Sequence, residues 1–121
     1  MGLDQYAYAV NDRAQKAELA YWRKHNRLQG WMEALWASKG NSGVFNCVDV
    51  ELTEDDLSAL EQDIAEMRLP YTTGFFFGTD SYGDSDSKAV PYDDFETDRK
   101  FIADARRALR EGRKVFYTSW W

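Results

Sequence analysis

Cysteine, histidine and long apolar runs are scarce in this chain. The single cysteine, Cys47, excludes an internal disulfide and any metal site built from several cysteines, and the single histidine, His25, excludes sites that need a histidine pair. No stretch approaches the roughly 20 apolar residues that cross a bilayer. The N-terminal residues also lack the basic-then-apolar pattern of a signal peptide. We therefore expect a protein of the reducing cytoplasm without a membrane partner.

Motifs of common catalytic and cofactor sites are absent as well. The sequence contains no serine-centred nucleophile elbow and no dinucleotide-binding fingerprint. Asp80, Asp84 and Asp86 lie close together in sequence, but their spacing does not match a calcium-binding EF-hand loop. We predict no metal and no cofactor.

Aromatic residues, in contrast, are abundant. The chain of 121 residues has five Trp, seven Tyr and seven Phe, while 44% of its residues are hydrophobic and 30% are charged. This length predicts a single domain spanning residues 1–121. Such a small core does not normally hold so many rings, so some of them should line a pocket or a contact surface.

Charge is distributed unevenly along the chain. Residues 41–98 contain fifteen acids against two bases, Arg68 and Lys88, a local balance of -13. The two ends must then carry +7 together, because the formal net charge is -6. If the middle of the chain forms one surface, the molecule has a strong electrostatic dipole.

Apolar periodicity predicts four strands and three helices. We expect strands at 3–10, 44–52, 72–77 and 114–121, and a surface loop at 78–89. The helices are predicted at 17–38, from a Thr53 cap to before Pro70, and from an Asp93 cap to 111. Most of the strands alternate, so each should have one face in contact with water. The prediction is an α+β fold with two layers and a mixed sheet, rather than a doubly wound parallel sheet.

One polar residue lies on the apolar stripe of each of two predicted helices. His25 lies on the stripe of the first helix, and Asp98 lies inside the apolar arc of the last helix. A buried titratable group needs a partner, so we predict a hydrogen bond between His25 and Asp98. A purely structural buried pair is the favoured interpretation. The alternative makes these two residues weak catalytic candidates, with the imidazole oriented as a general base.

Two surfaces are candidates for binding a partner. Trp31 is predicted to lie opposite the apolar stripe, with Arg27 one turn earlier and Lys24 another turn back, which is typical of an interface hot spot with a cation–π contact. The alternative is that another segment covers Trp31. The second surface is acidic and consists chiefly of Asp49, Glu51, Glu54, Asp55, Asp56, Glu61, Asp63 and Glu66. It is interpreted either as a mimic of a nucleic-acid backbone or, preferably, as a solvated helix face.

Two short motifs resemble a known group of proteins. Met1-Gly2-Leu3-Asp4 with Tyr6, and Tyr21-Trp22-Arg23-Lys24 with Asn26 and Trp31, are similar to segments of a family of small tailed-phage proteins, including proteins of cyanophages. The resemblance covers mainly the first forty residues and implies a phage accessory protein made in the cytoplasm of an infected bacterial cell. The members of the family have no established activity.

Three functions remain open on this basis. The first is a non-enzymatic protein that binds and inhibits a bacterial host protein or defence complex. The second is a binding protein for a small molecule or nucleotide signal, in which Tyr21, Trp22 or Trp120 stacks on a base and Arg23 or Lys24 meets a phosphate. The third, ranked last, is a hydrolase that depends on His25. Direct binding of nucleic acid is not expected, because the net charge opposes it.

Overall fold

The computed structural model describes residues 2–72, 92 and 94–121, and the elements below belong to this part of the chain. The strands are β1 (Asp4–Val10), β2 (Lys16–Arg23), β3 (Asp49–Leu52) and β4 (Lys114–Trp120). The helices are α1 (Asn26–Ser38), α2 (Glu54–Ala65) and α3 (Phe95–Arg110). The predicted strand at 72–77, from its second residue onward, lies outside the described residues. The predicted loop at 78–89, which holds Asp80, Asp84 and Asp86, and the predicted cap Asp93 also lie outside them.

The four described strands form one sheet in the order β2-β1-β4-β3. Each neighbouring pair is antiparallel, in contrast to the mixed sheet predicted from the sequence. The predicted small α+β domain with four strands and three helices is confirmed.

The inner face of the sheet carries the helices and holds the core. Alternation along β1 turns Gln5, Ala7 and Ala9 inward, and alternation along β4 does the same for Val115 and Tyr117. Each helix contributes apolar side chains to the same cluster: Leu28, Met32 and Trp36 from α1; Leu57, Leu60 and Ile64 from α2; Phe101, Ile102 and Ala105 from α3. The two layers thus meet over one continuous apolar core, and the alternation predicted from sequence is confirmed for β1 and also present in β4.

The predicted helix at 17–38 is wrong in its first part. Residues 16–23 form β2, which pairs with β1 from Asp4↔Arg23 to Val10↔Lys16. The chain then turns at Lys24, whose φ is 56° and whose backbone N–H donates to the Leu3 carbonyl over 2.8 Å. Pairing with β1 satisfies the backbone groups of this segment, and this tertiary interaction outweighs its helical periodicity.

The helix α2 begins as the sequence predicts. The Thr53 side chain accepts a hydrogen bond from the Asp56 backbone N–H, and the Asp56 carboxylate accepts one from the Thr53 backbone N–H. This reciprocal capping box occurs with Asp in the position where Glu or Gln is usual. The strand before it is shorter than predicted, because Cys47 adopts a φ of 60° and regular pairing begins only at Asp49.

Within the described ranges, no helix has both the length and the apolar character that crossing a membrane requires.

Candidate functional site

The outer face of the sheet carries a cluster of aromatic side chains. On β1 and β4, the residues that alternate with the buried ones point away from the helices. We call the five rings on this side the aromatic face: Tyr6, Tyr8, Tyr21, Phe116 and Trp120. Their registers place them in neighbouring rows, with Tyr6 opposite Tyr21 and Tyr8 opposite Phe116. The strands therefore bring together rings from three separate segments of the chain.

The rings of the aromatic face pack on one another. The ring of Tyr6 lies between those of Tyr21 and Trp120, with centroid distances of 5.0 and 4.9 Å. Tyr8 stacks on Phe116 at 5.5 Å. Tyr21 and Trp120 nevertheless remain 44% and 47% exposed. The neighbouring rings hold Tyr21 and Trp120 in place, while a large apolar area of both side chains remains exposed to water. Such fixed and exposed rings are typical of interface anchors.

Two tyrosines of the aromatic face are fixed by carboxylates. The Tyr21 hydroxyl donates to Asp4 Oδ1 over 2.7 Å, and this hydrogen bond raises the pKa of Tyr21. Partial burial, followed by a hydrogen bond to Asp49, raises the pKa of Tyr8. Lys16 Nζ lies 4.8 Å from the centroid of the Tyr8 ring. Both phenols thus stay protonated and oriented at neutral pH.

Charged residues border the aromatic face with opposite signs on different sides. Asp49 and Glu51 lie on β3, an edge strand of the sheet. In the pairing with β4, Asp49 is opposite Thr118 and Glu51 is opposite Phe116. Lys16 and Lys114 are the first residues of β2 and β4, and both lie opposite Val10, the last residue of β1. Arg23 is at the other end of β2, opposite Asp4. The border is therefore acidic along β3 and mainly basic where β1 ends.

The predicted ligand-binding residues are partly brought together. Tyr21, Arg23 and Trp120 lie at the same end of the outer face, because Arg23 and Trp120 both pair with Asp4. Trp22 is a correction to the prediction. It points inward, is only 2% exposed and donates through Nε1 to Asp98 Oδ1 over 2.8 Å. Adjacent residues of a strand face opposite sides, so Trp22 cannot share a ligand with Tyr21.

The predicted hydrogen bond between His25 and Asp98 is confirmed. His25 Nε2 lies 2.9 Å from Asp98 Oδ2, which also accepts a hydrogen bond from the Tyr92 hydroxyl. His25 is the N-cap of α1 and does not lie inside a helix, where it was predicted. Gln5 holds this junction, because its side chain accepts from the His25 N–H and donates to the His25 carbonyl at 2.8 and 2.9 Å.

This buried pair lacks the access that catalysis needs. The side chain of His25 is 0% exposed and that of Asp98 is 1% exposed. Among the residues that the structure describes, the second ring nitrogen, Nδ1, has no hydrogen-bond partner, and it lies 3.9 Å from the half-buried carboxylate of Asp94. A general base must reach its substrate within hydrogen-bond distance. The geometry therefore favours the structural interpretation of the pair.

The predicted patch around Trp31 is arranged differently from the expectation. Trp31 is half-buried against the core and donates through Nε1 to Asp63 Oδ2 on α2 over 2.8 Å. Arg27 donates to the Leu69 carbonyl over 2.7 Å and lies over the ring of Tyr71, rather than stacking on Trp31 as predicted. Lys24 belongs to the turn before α1 and not to the helix. The three residues therefore do not form one exposed helical patch.

Many of the predicted acidic partner-binding residues have cationic or polar partners within the molecule. Glu54 and Glu61 both bind Arg106 at 2.9 Å, and Asp56 binds Lys39 at 3.0 Å. Asp63 accepts from Trp31, and Asp55 lies exposed in the first turn of α2. Internal pairing reduces the free negative charge that a nucleic-acid mimic would present.

Tyr6, Tyr8 and Phe116 belong to the site but were not among the predicted site residues. Their signal was visible in the strand alternation, which already placed Tyr6 and Tyr8 on one face. The missing information was the pairing of β1 with both β2 and β4.

Among the described residues, no group of three His, Cys, Asp or Glu side chains is arranged to hold a metal ion. Comparisons of the chain with protein-family models, curated proteins and solved structures find no match.

Proposed function

We propose that this protein is a non-enzymatic accessory protein of a tailed phage that binds a bacterial host or defence protein through the aromatic face and inhibits it. The observation that carries the binding role is the pair of exposed rings, Tyr21 and Trp120, supported from below by Tyr6. The phage origin and the bacterial partner rest on the resemblance of the two N-terminal motifs.

A protein partner fits this surface better than a nucleic acid. Single-stranded nucleic acids also bind aromatic sheet faces, but they need a positively charged groove along the backbone. The outer face instead mixes both signs, with acids along β3 and near Tyr21. Protein interfaces are enriched in Tyr and Trp and have a polar rim. The partner should present an apolar pocket with basic groups on the side that meets Asp49 and Glu51.

The proposal moves the binding site from the acidic helix α2 to the sheet. The carboxylates of α2 are largely engaged with Arg106, Lys39 and Trp31, whereas the rings at positions 21 and 120 leave almost half of their area exposed. Exposed aromatic anchors of this kind account for most of the binding energy in typical interfaces.

A variant series tests the proposal. Tagged wild-type protein, the double variant Tyr21→Ser/Trp120→Ser and the control Tyr71→Ser are used for affinity capture from bacterial lysate with quantitative mass spectrometry. Tyr71 is a matched control because it is 69% exposed and lies beside α1, in the helical layer. Circular dichroism and thermal melting verify that each variant is folded.

A protein captured by the wild type and by Tyr71→Ser, but reduced at least tenfold with the double variant, is the expected result. This loss corresponds to about 1.4 kcal/mol or more, which is modest for removal of two interface aromatics. Equal recovery with all three proteins, or no stoichiometric partner at all, would contradict the proposal. The activity of the captured protein, assayed with and without this chain, tests inhibition.

A further inference from the structure

A concave surface lies in the helical layer, remote from the aromatic face. The groove between α2 and α3 has a volume of about 690 Å³, within the range of small-molecule sites. Its apolar lining consists of Ile64, Ala65, Phe95, Ile102 and Ala103, and its charged lining consists of Glu61, Arg99, Arg106, Arg107 and Arg110. The described lining has four arginines against one glutamate, an excess of positive charge in a chain whose net charge is -6.

One of these arginines has a structural task. Arg106 joins the two helices by binding Glu54 and Glu61, both at 2.9 Å, and by donating to the Ser58 hydroxyl over 3.0 Å. These contacts hold the walls of the groove together and neutralise Glu61, the only acid among the described residues of its lining. A ligand would therefore meet the charges of the other three arginines.

Those three guanidinium groups are available. Arg107 is exposed, and its only ion pair among the described residues is a loose i,i+3 contact of 3.8 Å with Asp104, which contributes little. In the same part of the chain, Arg99 and Arg110 have no carboxylate within 4.0 Å. Exposed guanidinium groups above an apolar floor can bind a phosphate through paired hydrogen bonds.

The two ends of the groove differ in character. Arg107 and Arg110 are three residues apart on α3, so their Cβ atoms are about 5–6 Å apart on the helix surface. The two side chains can therefore bind the same phosphate chain. Arg99 lies eight residues before Arg107, which is about 12 Å along a helix axis. At that end, Arg99 lies over the ring of Phe95, 5.6 Å from its centroid. This end suits a flat ring, since planar guanidinium groups stack on aromatic systems.

From this geometry we infer that the α2–α3 groove binds a nucleoside polyphosphate, with the phosphates at Arg107 and Arg110 and the base near Phe95 and Arg99. The site is independent of the aromatic face, and the inference does not rest on the proposed protein partner. It also differs from the nucleotide site predicted from sequence, which used Tyr21, Trp22, Arg23 and Trp120.

Titration calorimetry and thermal melting with ATP, tripolyphosphate and adenosine test the inference. ATP should bind most tightly and raise the melting temperature, tripolyphosphate should bind more weakly, and adenosine should bind most weakly. The variant Arg107→Gln/Arg110→Gln should weaken ATP binding by about tenfold or more, because it removes charge-assisted hydrogen bonds to the phosphates. Arg99→Gln should weaken ATP but leave tripolyphosphate unchanged.

Lys100→Gln is the matched control, because Lys100 is an exposed cation of the same helix that does not line the groove. The Lys100→Gln variant should change the affinity for ATP less than twofold. The Tyr21→Ser/Trp120→Ser variant should also leave the affinity for ATP unchanged. The inference is overturned if ATP does not bind, if tripolyphosphate binds as tightly as ATP, or if Lys100→Gln weakens ATP as much as the groove variant. Retained ATP binding in the folded groove variant would overturn it as well.

Discussion

Asp98 organises the junction between the sheet and the helical layer through three donors. Its two oxygens accept from Trp22 Nε1, His25 Nε2 and the Tyr92 hydroxyl, and the side chain is almost completely buried. A buried carboxylate is costly unless such donors compensate for its lost hydration. The residue thus connects β2, the start of α1 and α3.

Replacing Asp98 with Ala should destabilise the protein strongly. The change leaves three buried donors without an acceptor, and we expect a loss of about 3–5 kcal/mol in the free energy of unfolding. Urea denaturation measures this loss. Glu96→Ala, an exposed change in the first turn of the same helix, should cost less than about 1 kcal/mol. Equal losses for the two variants would show that the buried network contributes nothing specific.

The contact of His25 with Asp98 could be predicted from the sequence, although His25 is the N-cap of α1 and not, as predicted, a residue inside a helix. Prediction needed no knowledge of the exact helix bounds, since both groups had to be buried and had to find a partner. The position of Trp22 could not be predicted in this way. A helix puts Trp22 near Tyr21 on one arc, whereas a strand separates them onto opposite faces.

The start of helix α2 and strand β4 follow their sequence signals, although α2 ends at Ala65 and not just before Pro70 as predicted, and the segment before α1 does not follow its signals. Strong caps and uninterrupted periodicity define the first two. Between β2 and α1 there is no Gly or Pro to mark the boundary. The register shift opposite Ala7 and Tyr8 also disturbs the alternation of β2. A turn made by Lys24 with positive φ has no sequence signature, so the boundary appears only in the structure.

The capping box of α2 should contribute a pH-dependent part of the stability. Burial alone raises the pKa of Asp56, but the Thr53 backbone N–H, Lys39 and the Thr53 hydroxyl outweigh it and lower the pKa below its usual value. A carboxyl group whose pKa is lowered on folding stabilises the protein at pH values above its unfolded-state pKa of about 3.9. This stabilisation is lost as the pH falls through the folded-state pKa.

We therefore expect Asp56→Ala to cost about 0.5–2 kcal/mol at pH 7, with the difference from the wild type narrowing below about pH 4. Chemical denaturation at a series of pH values measures the difference. Asp55→Ala removes the same charge from the same turn without removing the cap, so it should cost less at pH 7. A cost for Asp56→Ala that stays constant down to pH 2 would contradict this account.

Close packing of α1 against the segment after α2 makes Gly30 an unusual helical glycine. A Cβ atom at this position would lie 1.8 Å from Thr72 Oγ1 and 2.9 Å from Thr72 Cβ. Gly→Ala within a helix normally stabilises by about 0.5–1 kcal/mol, whereas here the added methyl group must displace Thr72.

A double-mutant cycle tests this contact. Gly30→Ala should destabilise the wild type by about 1–3 kcal/mol but stabilise the Thr72→Gly background, where the opposing side chain is absent. Thermal unfolding of the four proteins gives the coupling energy. If Gly30→Ala has the same effect in both backgrounds, the two segments do not pack as described.

At the scale of the whole molecule, the sheet separates two surfaces with different chemistry. Its inner side is covered by the three helices, and the helical layer carries the arginine-lined groove. The outer side presents the aromatic face with its mixed charged border. The surplus of aromatic residues in the sequence indicated a contact surface, but its location depended on the strand order β2-β1-β4-β3, which the sequence does not determine.

Site-specific photo-cross-linking measures whether a protein binds to the aromatic face. A photoreactive phenylalanine analogue is placed at position 120, at position 21 or at the control position 100 on α3, and each protein is irradiated in bacterial cells. We expect the same cross-linked protein from positions 120 and 21 and none from position 100. Absence of a cross-link at both positions of the aromatic face, or an identical product from position 100, would contradict this expectation.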